Sequence, residues 1–169
     1  MLILHWKNGQ NMINRKITKY LEEFYKENKK ALLLTGARQT GKSFSIRQFG
    51  MSHFDSFVEI NFLDNPNAIG VISEAKDSGD ILMRLSLLTD KPLIAGKTLI
   101  FFDEVQEYPE IVTAIKFLVE EGSYRYVLSG SLLGVELNDL RSEPVGYMDV
   151  KELFPPDLEE FFMALGVGR

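Results

Sequence analysis

Eight consecutive residues, Gly36-Ala37-Arg38-Gln39-Thr40-Gly41-Lys42-Ser43, carry the clearest chemical signal in the chain. They match the spacing G-x-x-x-x-G-K-[ST]. In that pattern glycines let backbone N–H groups curl around a phosphate, the lysine reaches toward terminal phosphates, and the serine hydroxyl can ligate Mg²⁺. Phe44 follows directly, and Gly36 through Phe44 are the residues expected to line a bound phosphate chain. Further on, Thr98-Leu99-Ile100-Phe101-Phe102 runs into two adjacent carboxylates, Asp103 and Glu104. An apolar run without alternation reads as a central parallel strand covered on both faces. Ligands of open α/β sheets bind beyond the carboxyl ends of the strands, so both carboxylates are expected at the edge that carries the glycine-rich loop. Asp103 suits a Mg²⁺ site, directly or through water. Glu104, one residue on, points elsewhere and suits a general base for an attacking water. The plainer readings are a glycine-rich turn before a helix and a strand ending in a solvated acidic turn. The two segments together, each in strand context, weigh against both.

The surrounding pattern supplies the elements such a site needs. Ala31-Leu32-Leu33-Leu34 precedes the glycine-rich loop as a buried strand, Ala31 to Thr35, and a helix start fits Lys42 to Phe49. Ahead of them an amphipathic helix spans about residues 13–28, with Ile13, Ile17, Tyr20, Leu21 and Phe24 on one face. A second strand is expected over Ser56–Phe62 and short helices over residues 67–75 and 79–89. After the strand that ends at Asp103, Pro109 stands at the first turn of a helix striped by Ile111, Val112, Ile115, Leu118 and Val119 and closed by Gly122. A fourth strand fits Tyr124–Ser129, a polar segment Gly130–Gly146, and a fifth strand Tyr147–Phe154. The spacing Asp157-x-x-Glu160 reads as a capping box opening a final helix to about Leu165. Strands alternating with helices imply a parallel sheet with helices on both faces.

Composition narrows the function classes. Hydrophobic residues make up 45 % of the 169-residue chain, which suits one globular domain with a true core. There is no cysteine, so disulfides, thiol nucleophiles and cysteine metal sites are excluded. The longest apolar runs are too short to cross a membrane, and the N-terminus lacks the features of a secretory leader, so a cytoplasmic location is expected. His5 and His53 lack ligand spacing and read as ordinary. A net charge of −5 argues against broad electrostatic affinity for nucleic acid. Basic residues cluster locally at Arg15, Lys16, Lys19, Lys26, Lys29 and Lys30, but Glu22, Glu23 and Glu27 interleave with them, as on a solvated helix face.

From Met12 to about Gly166 the chain resembles prokaryotic AAA-type ATPases that carry a C-terminal domain of unknown function. The resemblance rests on Leu32–Ser43, Thr98–Gln106 (Thr-Leu-Ile-Phe-Phe-Asp-Glu-Val-Gln), Tyr126–Ser131, Pro144–Tyr147 and Phe154–Phe162, in this order and spacing. It implies a P-loop NTPase three-layer α/β sandwich of the additional-strand, catalytic-glutamate type. Its five parallel strands would have the fourth inserted between the phosphate-loop strand and the Asp103 strand. It further implies ATP and Mg²⁺ as ligands, Glu104 as catalytic glutamate, and a polar sensor at Ser129. Arg141, the only arginine between the fourth and fifth strands, stands where related ring-forming ATPases place a trans-acting arginine. A solvated loop arginine paired with Asp139 or Glu143 is the plainer reading. Phe154 and Pro156 depart from the Tyr and Leu usual in the family, which puts the entry of the last helix in doubt. Residues 1–11 lie outside the match and read as an N-terminal extension; residues 12–169 read as the ATPase core. Family members are much longer, so the chain is expected to be a fragment or minimal core, slow in turnover alone, that assembles with itself or a missing domain.

The same motifs would serve a nucleotide-operated switch in which turnover is incidental. A small-molecule kinase is the third reading. Against it, Glu104 directly after Asp103 suits water activation, and no arginine-rich lid segment is evident. No Asn-Lys-x-Asp motif is present to read guanine.

Overall fold

A computed structural model describes residues 16–131, 146–155 and 157. The residues expected to form an N-terminal extension, most of the Gly130–Gly146 segment and the final helix lie outside the described residues. In chain order the elements are α1 (Lys16–Glu27), β1 (Ala31–Thr35), α2 (Lys42–His53), β2 (Ser56–Asn61), α3 (Pro66–Ser73), α4 (Ser78–Leu87), β3 (Thr98–Asp103), α5 (Glu110–Glu121), β4 (Arg125–Ser129) and β5 (Met148–Glu152). The strands form one sheet in the order β2-β3-β4-β1-β5, every pairing parallel. β4 is thus inserted between β1 and β3, as the resemblance implies.

Residue parity along the strands assigns each side chain to one of two cores. Leu32 and Leu34 of β1, Leu99 and Phe101 of β3 and Val127 of β4 pack against Ile17, Leu21 and Phe24 of α1 and Ile46 and Phe49 of α2. Their alternates, Ala31, Leu33, Ile100, Phe102, Tyr126 and Leu128, pack against α3, α4 and α5 through Ile72, Ile81, Leu85, Ile111, Ile115 and Leu118. This double cover is why β1 and β3 are apolar throughout and buried at every position.

The start expected for the first helix near Ile13 lies outside the described residues; the other boundaries differ from the sequence reading by a residue or two, with one informative exception. α2 continues past Phe49 to His53, straight through Gly50. A Cβ at Gly50 would stand 2.2 Å from the Phe57 ring, so this glycine lets α2 lie close on β2 and does not end the helix. No helix among the described residues is long and apolar enough to cross a membrane.

Candidate active site

The loop between β1 and α2 bends through positive φ at Gly36 (141°), Gln39 (63°) and Gly41 (85°). Thr40 Oγ1 donates to the Ala37 carbonyl at 3.0 Å and braces the loop from inside. Gly41 precedes α2 without a side-chain hydrogen bond to cap it. The first N–H groups of α2 therefore lack an intramolecular cap, which is the arrangement an anion completes. Gly36 meets a second demand. A Cβ there would stand 2.2 Å from the Leu153 carbonyl oxygen, and Leu153 N donates to Thr35 O at 2.8 Å. The loop is thus seated against the chain leaving β5, with no room for a side chain.

Lys42 is nearly buried, and its Nζ donates to the carbonyls of Gly36 at 3.0 Å and Ala37 at 2.8 Å. Burial pulls its ammonium below the usual lysine range, while Glu104 and Asp103 oppose that shift.

Three polar residues close adjacent strands at the same edge: Asn61 on β2, Asp103 on β3 and Ser129 on β4. By parity all three turn to the face covered by α2, and they meet at one carboxylate. Asp103 is 2 % exposed. Its Oδ1 accepts from Ser43 Oγ at 3.1 Å, from the Glu104 N–H at 3.1 Å and from Ser129 Oγ. Its Oδ2 accepts from Asn61 Nδ2 at 3.2 Å and lies 3.8 Å from the Arg47 guanidinium. Arg47 is held by Glu59 on β2 at 2.6–3.0 Å. Ser129 is therefore placed to support Asp103, with 1 % of its surface exposed. Asn61, Arg47 and Glu59 were not singled out in the sequence. Asn61 carried a partial signal, a polar residue next to the last position of the strand expected over Ser56–Phe62; its register beside Asp103 comes from the sheet.

Glu104 leaves the strand in the left-handed region (φ 56°, ψ 48°), which costs a non-glycine residue about 1–2 kcal/mol. That turn swings its side chain away from Asp103 and onto the cleft. Residues Arg38 to Phe44 together with Leu63, Glu104 and Ser131 line this cleft of about 330 Å³, large enough for a small-molecule ligand. Arg141 lies outside the described residues.

A family model described as AAA domain matches residues 28–162. The chain belongs to that family. Its function is thereby nucleotide-binding and ATPase-type in general terms. No curated protein matches the chain.

Whether the donor set suits Mg²⁺ can be tested on the geometry. Among the described residues no group of three or more His, Asp or Glu side chains is placed to hold a metal. Mg²⁺ needs no such cage. It takes one or two protein oxygens and completes its shell with phosphate oxygens and water. The Ser43 hydroxyl and Asp103 carboxylate, already 3.1 Å apart beside the anion loop, are hard oxygen donors of that kind.

Proposed function

We propose that this AAA domain binds Mg-ATP in the cleft at the head of α2 and hydrolyses it. The observation that carries the reading is the hydrogen bond between Ser43 Oγ and Asp103 Oδ1, which joins the two motifs across 60 residues of chain. Backbone N–H groups of the loop and of the first turn of α2 hold the phosphates. Lys42 moves its ammonium from the Gly36 and Ala37 carbonyls to the terminal phosphates and stabilises charge as it develops. Mg²⁺ held by Ser43 and Asp103 would add charge neutralisation at the β- and γ-phosphate oxygens. Glu104 orients a water for in-line attack on the γ-phosphorus and accepts its proton as the bond to the β–γ bridging oxygen breaks. Ser129 and Asn61 keep the Asp103 carboxylate aimed at the metal position. Arg141 of a neighbouring copy is the proposed trans-acting cation.

The test is Glu104→Gln, which keeps the shape of the side chain and removes the base. Affinity for Mg-ATP should stay within about twofold, and phosphate release should fall by about 10²–10⁴-fold. Hydrolysis at the wild-type rate in this variant would remove Glu104 from the mechanism.

A further inference from the structure

The catalytic-site carboxylate does not stand alone in the cleft. Gln106 Nε2 donates to Glu104 Oε2 at 2.5 Å. At its other end Gln106 Oε1 accepts the backbone N–H of Ser131 at 3.3 Å. The two contacts determine the amide's orientation, because a carboxylate only accepts and a backbone N–H only donates. Turning the amide over would break both bonds at once.

The base of this bridge is firm. Gln106 sits in a 3-10 turn, Val105–Glu107, closed by Glu107 N donating to Glu104 O at 3.0 Å. Val105 is fully buried in the core beneath α3–α5 and pins the turn to the sheet. Glu104 is thus held at its backbone by the turn and at its carboxylate by Gln106. Oε1 of Glu104 takes no hydrogen bond among the described residues, which leaves one oxygen to receive a proton. A free glutamate side chain loses up to about 2 kcal/mol of rotamer entropy when fixed, and the bridge removes that cost before substrate arrives.

We propose that Gln106 is a positioning residue for hydrolysis. It presents the Glu104 carboxylate to the water, and through Ser131 it makes the start of the segment after β4 a determinant of where the base stands. This inference rests on the hydrolytic reading above.

The experiment compares wild type, Gln106→Ala, Gln106→Glu, Glu104→Ala and the double variant Glu104→Ala/Gln106→Ala. Each is measured for Mg-ATP affinity by calorimetry and for single-turnover hydrolysis of γ-labelled ATP. Gln106→Ala should bind with affinity near that of wild type and cleave roughly 10- to 100-fold more slowly, as expected when a reacting group is misplaced by about 1 Å. Gln106→Glu keeps the shape and can still accept from Ser131, but it sets a second carboxylate against Glu104. Its loss should be at least as large, and this isosteric variant decides the matter if Gln106→Ala fails to fold. In the Glu104→Ala background, removing Gln106 should change the residual rate by less than about threefold, because its route of action is gone. Three results overturn the proposal: a Gln106→Ala rate within about threefold of wild type, a faster rate, or an equal further loss in the Glu104→Ala background. If Glu104→Gln hydrolyses normally, the hydrolytic reading falls and this inference with it. If Glu104→Gln is inactive while Gln106→Ala is unimpaired, only the positioning role falls.

Discussion

Replacing Lys42 by alanine tests the phosphate site most directly, and the geometry bounds the size of the effect. In the ligand-free protein the Lys42 ammonium already makes two hydrogen bonds, to Gly36 O at 3.0 Å and Ala37 O at 2.8 Å. Binding a triphosphate exchanges these neutral acceptors for charged ones. An ordinary hydrogen bond contributes about 0.5–1.5 kcal/mol net and one to a charged partner about 1.5–3 kcal/mol, a gain of about 1–1.5 kcal/mol per bond. Two bonds give about 2–3 kcal/mol, a roughly 30- to 150-fold weakening of Mg-ATP binding in Lys42→Ala. The two carbonyls, left without their donor, would face the phosphates with their negative ends and add to the loss. Calorimetry at physiological ionic strength is the assay, with circular dichroism to show that the variant is folded. A folded variant whose affinity changes by less than about threefold refutes the reasoning. A pH signature accompanies it. Burial lowers the Lys42 pKa in the free protein, and bound phosphate favours the charged form, raising it again. Wild-type affinity should be level below the lowered free-state pKa and decline as pH rises through it. Binding between the free and bound pKa values should take up a proton, seen as a dependence of the calorimetric enthalpy on buffer ionisation heat. Lys42→Ala should lack that uptake.

Asp103→Asn should blunt the Mg²⁺ dependence of ATP binding, because the amide offers the metal a neutral oxygen and its NH₂ must also face one of the donors now gathered around the carboxylate; a Mg²⁺ titration indistinguishable from wild type refutes that role. Gly50→Ala should destabilise the fold by about 1–3 kcal/mol in urea unfolding, although alanine gains about 1 kcal/mol in helix propensity, because the new methyl meets the Phe57 ring at 2.2 Å and that ring is stacked on Phe101. Unchanged or higher stability would show that the ring can retreat. Tyr126→Phe should be neutral or stabilising by about 1 kcal/mol, since the Tyr126 hydroxyl is buried with no hydrogen-bond partner among the described residues; a loss above about 1 kcal/mol in the same assay would reveal a partner for it.

The architecture was legible because its signals are local and repeated. Apolar strands such as Leu32–Leu34 and Leu99–Phe102 can be buried on both faces only in a parallel sheet, and the intervening helices carry their own apolar stripes. Strand order was not accessible that way. Nothing in the composition of β4 says that it lies between β1 and β3; that came from the likeness to other ATPases. The continuation of α2 through Gly50 was not legible, because a lone glycine cannot announce whether it breaks a helix or admits a neighbour. The ring it admits, on Phe57, is near in sequence but identifiable only once the strand is laid beneath the helix.

The site divides along the same line. Contiguous motifs marked the loop, Lys42, Ser43 and the two carboxylates, because the chemistry of those residues depends on spacing within a few positions. Asn61, Arg47 and Glu59 act across elements: strand parity with sheet order brings Asn61 to Asp103, and the packing of α2 on the sheet brings Arg47 to Asp103 and to its partner Glu59. Glu104 is the sharpest case. Continued extension of β3 would have sent its side chain to the face of Phe102, under α5 and away from the loop. A single residue in the left-handed region redirects it to the cleft. The cost of that conformation is met by the buried anchor at Val105 and the hydrogen-bonded turn that follows. A residue kept in an unfavourable conformation at a ligand cleft, with core packing directly behind it, is better explained by the position its carboxylate must occupy than by any need of the fold.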